Sequence, residues 1–169
     1  MPTMDEGDLI VGVEKLPSIN LDASVATALR IQQAILDRVP EVQRIVARVG
    51  SDELGLDPMG LNQTDTFLVL KPKEEWREPD KAWLMDELRK VLVDFPGVAY
   101  SFTQPIDMRV SEMLTGARGD VAIKIFGSEL ATLNALAAQM AASIRAARGA
   151  QDVQTLKNEG VQYDRVVID

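Results

Sequence analysis

An α+β fold of the split βαβ type is what this sequence predicts, and three observations predict it. First, short alternating apolar runs and longer helical periodicities follow one another over residues 8–104 as strand, helix, strand, strand, helix, strand. Second, one phrase recurs at roughly fifty-residue intervals, a helix that ends, crosses a tight turn and enters a short apolar strand. It reads Ile35-Leu36-Asp37-Arg38-Val39-Pro40-Glu41-Val42, then Leu92-Val93-Asp94-Phe95-Pro96-Gly97-Val98, then Ala146-Ala147-Arg148-Gly149-Ala150-Gln151-Asp152-Val153. Third, a second round begins at Val121 and contains only strand, helix, strand, strand. One complete ferredoxin-like unit followed by half of another accounts for all three.

The first strand rests on Leu9, Val11 and Val13 alternating with Ile10 and Gly12, and Leu16-Pro17-Ser18 breaks it. Asn20 is placed to cap the first helix, where Val25, Ala28, Leu29, Gln32, Ile35, Leu36 and Val39 share a face; the helix stops before Pro40, which cannot continue it. Residues 42–49 follow as a strand, with Ile45, Ala47 and Val49 on one side and Arg44 and Arg48 on the other. The loop 51–62 mixes turn formers and the acidic Asp52, Glu53 and Asp57 with apolar side chains that a solvated loop does not need, so something should pack on it. A strand over 64–70 is closed by Lys71-Pro72, and the mixed-charge connection that follows is anchored by Trp76. Pro79 suits the first turn of a second helix, in which Trp83, Leu84, Leu88, Val91 and Leu92 share a face before Phe95-Pro96-Gly97 ends it. A fourth strand covers 98–102.

After Gln104-Pro105 a short helix is expected over 109–114, ended by Thr115-Gly116. Val121, Ile123 and Ile125 then alternate with Ala122, Lys124 and Phe126 as a strand. Ser128 is read as the cap of a third helix whose face is Leu130, Leu133, Ala137, Met140, Ala141 and Ile144. Its many Ala residues imply close packing on a sheet, with Met140 as a core filler. Gly149 stops this helix, and strands are expected over 152–156 and 162–168. A half-unit leaves a sheet edge uncovered, which natural proteins avoid, so the chain is expected to be a piece of a longer protein.

Composition narrows the chemistry. With 169 residues and 46% apolar content the chain is an ordinary globular protein rather than a disordered one. The absence of Cys and His removes disulfides, thiol nucleophiles, Ser-His-Asp triads and the usual zinc ligands, leaving carboxylates and Lys for any acid–base work. The net charge of -8 argues against nucleic acid and suits cationic ligands, as it equally suits plain solubility. No apolar run approaches the ~20 residues that span a bilayer, and the N-terminus lacks a signal peptide's pattern, so this stretch is expected to be soluble by itself. The glycines near 50–60 lack phosphate-loop spacing.

Met1-Pro2-Thr3-Met4-Asp5-Glu6-Gly7-Asp8-Leu9, Leu16-Pro17, Val39-Pro40-Glu41-Val42, Gly50, Asp57, Leu70-Lys71-Pro72, Trp76-Arg77, Pro96-Gly97, Thr115-Gly116 and Ile123-Lys124 with Gly127 together resemble the heavy-metal branch of the resistance-nodulation-division efflux pumps. The resemblance covers the whole chain. It implies a non-enzymatic, proton-driven transporter of the bacterial inner membrane, a homotrimer that works with a periplasmic adaptor protein and an outer-membrane channel. Its periplasmic porter region is built of ferredoxin-like subdomains, the later one interrupted by a docking insertion. Residues 5–105 would then be the first C-terminal porter subdomain, 106–116 a connecting short helix, and 117–169 the first half of the second subdomain. The remainder of the same polypeptide would be the chain's nearest partner, and no cofactor is implied beyond the transported metal cation.

Copper and silver members of this family use three methionines in the cleft between those subdomains, with an aspartate and a glutamate nearby. Carried over without gaps, the methionine positions fall on Gly12, Gln63 and Glu112 and the acidic ones on Asp57 and Asp65. All three thioethers are missing. Thioethers select Cu(I) and Ag(I), whereas carboxylate and amide oxygens suit divalent ions such as Zn(II), Co(II), Ni(II) or Mn(II). The resemblance therefore makes Asp57, Gln63, Asp65 and Glu112 the candidate metal ligands and a divalent ion the expected cargo. Gln63 and Asp65, two apart, project from one face of their strand. A plainer reading makes Asp57 a turn residue before Pro58, Asp65 the cap of a strand end and Glu112 a solvated helix charge. Met59, Met108 and Met113 offer soft ligands instead, Met113 lying next to Glu112.

Three other functions compete. A porter for organic compounds is disfavoured by the acidic loop and by an aromatic content of 5%, since apolar drug pockets are usually lined with aromatic rings. A free-standing ferredoxin-like ligand-sensing module would be eliminated by a reading frame that continues into apolar spans on both sides. An acylphosphatase-like enzyme would need an anion-binding Arg in a turn beside an amide, which nothing here presents, and fold alone implies no function.

Overall fold

The computed structural model of the chain describes residues 7–51, 59–106, 108 and 121–155. In chain order the elements are β1 (Leu9–Glu14), α1 (Leu21–Arg38), β2 (Val42–Val49), β3 (Gln63–Leu70), a 3-10 turn (Lys73–Glu75), α2 (Lys81–Leu92), β4 (Ala99–Thr103) and α3 (Leu130–Arg145). The strands form one sheet in the order β2-β3-β1-β4, with every neighbouring pair antiparallel. Each helix therefore carries the chain past an intervening strand, the interleaved βαβ arrangement of the ferredoxin-like fold.

Cross-strand register fixes the two faces of the sheet. On the inner face Leu9, Val11 and Val13 of β1 and Leu68 of β3 pack with Ile31 and Ile35 of α1 and with Leu84, Leu88, Val91 and Leu92 of α2. A bulge between Val42 and Arg44 places both Val42 and Ile45 over this core although they are three residues apart. Burying each large aliphatic side chain contributes about 1.5–3 kcal/mol. An exposed pair such as Arg38 with Asp94 contributes at most ~1 kcal/mol, so the helix-covered core holds the fold. Trp76 is buried and its indole N–H donates to the Lys71 carbonyl at 2.7 Å, the anchoring role expected of it.

Several expectations need correction. Asn20 caps α1 as expected, accepting from the Ala23 N–H at 2.8 Å, but the buried face is Ser24, Ala28, Ile31 and Ile35. Val25, Leu29 and Leu36 are exposed, Leu29 by 58%. At 100° per residue the helix carries two apolar stripes roughly 110° apart, and periodicity alone does not say which one meets the sheet. The cap of α2 is Asp80, whose carboxylate accepts from the Ala82 N–H, so Pro79 lies outside the first turn. The cap of α3 is Glu129 rather than Ser128; its carboxylate accepts from the Ala131 and Thr132 N–H groups at 3.1 and 2.6 Å. The Thr132 side chain, together with those two N–H donors, holds the Glu129 carboxyl below its ordinary value.

The second round differs most. Neither 121–126 nor 152–155 is a strand among the described residues, and the strand expected over 162–168 lies outside them. Alternation creates the propensity for a strand, but a strand exists only when a ladder partner lies beside it. Only Ala141 of α3 is buried, and Met140 is exposed rather than a core filler. The Ala-rich surface of α3 thus meets no sheet among the described residues. Arg89 of α2 reaches this part of the chain, donating to Asp152 at 2.7 Å. Among the described residues no helix is long and apolar enough to cross a membrane.

Candidate metal centre

The sheet face opposite the helices carries a polar row across all four strands. Arg48 of β2 stands opposite Asp65 of β3, Asp65 opposite Gly12 of β1, and Gly12 opposite Ser101 of β4. One row along, Gln63 stands opposite Glu14. Gln63 and Asp65 leave the same face about 7 Å apart along the strand, and side chains directly opposite one another start about 5 Å apart. The expectation that Gln63 and Asp65 share a face is met, and Gly12 completes the group.

Asp65 is 0% exposed, so its carboxylate needs compensation. An Arg48 guanidinium nitrogen supplies it, donating to Oδ2 at 2.7 Å. Asp65 lies within β3, not at its end, which removes the strand-end cap reading. Gln63 already uses its side-chain oxygen, which accepts from the Gly60 N–H at 3.2 Å while the Gln63 N–H donates to the Gly60 carbonyl at 2.9 Å. The turn closes at Gly50, whose N–H donates to the Gln63 carbonyl at 3.1 Å. Its φ of +71° favours glycine, and a Cβ there would come within 3.3 Å of the Leu61 side chain.

The entry to β3 is also held from the inner face. Buried Lys15 donates to Ser24 Oγ at 3.0 Å and to Thr64 Oγ1 at 2.5 Å, and Ser24 Oγ donates to the Leu61 carbonyl at 2.6 Å. Burial lowers the Lys15 ammonium from its ordinary 10.5 to about 8. Thr64 lies between Gln63 and Asp65 and points the other way, so this bridge between α1 and β3 positions both outer-face residues.

Asp57, Glu112 and Met113 lie outside the described residues. Met59 and Met108 are both buried, and neither belongs to the helix-side core. Glu14 is the residue missed by sequence reading: the alternation of Ile10 and Gly12 leads to it in steps of two, and it brings a carboxylate to the row of Gln63. Among the described residues no group of three or more carboxylates is close enough to hold a metal ion. What the outer face offers is oxygen from Glu14, Gln63 and Asp65 around a position, Gly12, that has no side chain. Such donors suit hard divalent cations.

A cleft of about 820 Å³ lies elsewhere, between Met85, Arg89 and Phe102 on one side and Val121, Ile123 and the apolar surface of α3 on the other. Gln63 and Asp65 do not line it, and among the described residues its one carboxylate, Asp152, is paired with Arg89. The described lining mixes apolar side chains with Arg89, Ser101 and Asn134, and offers fewer carboxylates than the outer row.

Comparison with known proteins places this geometry in context. The model of the AcrB/AcrD/AcrF family matches residues 1–169. The nickel and cobalt resistance protein CnrA of Cupriavidus metallidurans is 37% identical over 100% of the chain, and the match covers 16% of the relative. The cobalt-zinc-cadmium resistance protein CzcA of the same organism is 34% identical, again over 100% of the chain and 16% of the relative. The cation efflux system protein CusA of Escherichia coli K12 is 32% identical over 99% of the chain and 16% of its own length. An X-ray crystal structure of a heavy metal efflux pump superposes with a TM-score of 0.85 at 30% identity, covering 89% of this chain and 16% of that one. The chain thus spans about one sixth of the length of these relatives.

Proposed function

Since the chain belongs to the AcrB/AcrD/AcrF family, in the heavy-metal branch of the resistance-nodulation-division transporters, we propose that it is the part of a proton-driven efflux pump's periplasmic porter that holds a divalent metal ion in transit. The observation that carries this reading is the outer row, where buried Asp65 stands beside Gly12 with Gln63 and Glu14 one row along. Oxygen donors without thioethers favour a divalent ion over Cu(I) or Ag(I). The names of CnrA and CzcA, which refer to nickel and cobalt and to cobalt, zinc and cadmium, support the same class of cargo.

In this reading Asp57 and Glu112 join Gln63 and Asp65, from the loop and from the connecting helix between the two subdomains. Ligands on two bodies let a rigid-body movement change the coordination number and so release the ion. The apolar surface of α3 and of Val121 and Ile123 is then covered by the rest of the polypeptide. The intact pump is a homotrimer in the inner membrane, passing its ion toward an adaptor and an outer-membrane channel.

Resistance of cells carrying the intact pump tests this. Asp65→Asn is expected to lower resistance to zinc, cobalt or nickel at least tenfold while leaving copper resistance unchanged. Unchanged resistance to every metal would remove Asp65 from the site, and loss of copper resistance alone would overturn the divalent cargo.

A further inference from the structure

Arg48 is the feature that a simple ligand site does not use. Its guanidinium lies 2.7 Å from Asp65 Oδ2, and Asp65 is closed to solvent. A metal ion and this guanidinium compete for Oδ2, and their like charges oppose both sitting on one carboxylate. The guanidinium remains charged at any physiological pH and leaves the carboxylate only by moving away.

The position of Arg48 at the sheet edge bears on that movement. Arg48 is on β2, an edge strand of the sheet, and its side chain is 32% exposed, whereas Asp65 is on the interior strand β3. A long side chain at an edge can carry its head group into water while its stem stays along the sheet. On the other flank of Asp65 the cross-strand neighbour is Gly12, which places no side chain there. The carboxylate thus has a part-exposed guanidinium on its β2 side and a glycine on its β1 side.

We propose that Arg48 is a tethered competitor for the transported ion: it holds Asp65 between transport events, yields it to a divalent cation, and on returning helps expel that cation. This inference rests on the metal-export reading and adds a specificity-determining residue to it. A pump needs a site that fills and empties in each cycle, and a tethered cation keeps affinity moderate where bare carboxylates would retain the ion. It also favours doubly charged ions, whose stronger attraction for the carboxylate displaces a guanidinium more readily than a monovalent ion does.

The test uses the intact pump in proteoliposomes under an imposed proton gradient, with zinc, cobalt and nickel chloride as probes. Arg48→Met, which keeps the length and removes the charge, is expected to lower KM about tenfold and to lower kcat, because the ion binds without a competitor and leaves more slowly. Arg48→Lys, a more strongly hydrated point charge, is expected to lie between the two, and it carries the test should the Met variant fail to assemble as wild type on gel filtration. In an Asp65→Asn background the Arg48→Met change is expected to have no further effect, since the two groups act as a unit. A structural role alone would not lower KM. An Arg48 series in which KM rises or stays constant overturns the competitor role and leaves metal export standing, as does an Arg48→Met effect that persists without Asp65. Wild-type vesicles that transport none of the three ions overturn the export reading and this inference with it.

Discussion

Single residues divide here into those the sequence identifies and those that only the register reveals. Period-two spacing alone places Gln63 and Asp65 on one face. Their pairing with Arg48, Gly12 and Glu14 depends on how β3 aligns with two strands distant in sequence, which one-dimensional patterning does not encode. Another such pair is structural. Glu41 is fully buried, and Arg77 donates to its two carboxylate oxygens at 2.7 and 2.9 Å, holding the Glu41 carboxyl below its ordinary value. Arg77 also lies 4.9 Å from the centre of the Trp83 ring. Removing Arg77, whose side chain is 46% exposed, leaves the buried Glu41 carboxylate without its partner but within reach of water, so Arg77→Met is expected to destabilise the chain by about 1–3 kcal/mol near neutral pH in urea unfolding. Because Glu41 is lowered in the folded state, its contribution is complete above its unfolded value near 4.5 and is lost as pH falls through the lower folded value. The gap between wild type and variant should therefore narrow in acid, and a gap independent of pH would mean that Glu41 is not the group involved.

At the level of elements, caps and faces were legible to different degrees. Asn20 was legible because an Asx residue followed by a long periodic run has one obvious role. Glu129 was not, because Ser128 beside it is the stronger cap former by residue type and only the backbone decides between them. The face of α1 was half legible: Ala28 and Ile35 belong to the buried stripe, while Leu29 belongs to a second stripe that the sheet does not cover. Lys15 joins β1, α1 and β3 through Ser24 and Thr64, and nothing in its sequence context marks it as buried. Its folded value of about 8 lies below the ordinary 10.5, so between these pH values the unfolded chain binds the extra proton. Stability is then expected to rise from pH 8 towards 10.5, by up to about 1.4 kcal/mol per unit, and to be insensitive to this group below pH 8. Lys15→Met should abolish that rise in urea titrations. An equal rise in both proteins would show that another group titrates there.

For the molecule as a whole, the order of elements in the first unit was legible because each helix and strand has its own periodicity and its own breaker, from Pro40 to Gly97. The second round was legible only as propensity, since its alternating segments need partners that the described residues do not provide. The large cleft beside α3 and the polar row on the outer face of the sheet are therefore different things, and the proposed metal-export reading puts the ion at the second. The measurement that separates them is anomalous diffraction at the cobalt edge, from crystals of the intact pump soaked in cobalt chloride. A peak about 2.0–2.2 Å from an Asp65 carboxylate oxygen, with Arg48 displaced from it, is the expected result. A peak on the Met59 or Met108 thioether, or in the cleft beside α3 with the Arg48–Asp65 pair intact, would contradict it.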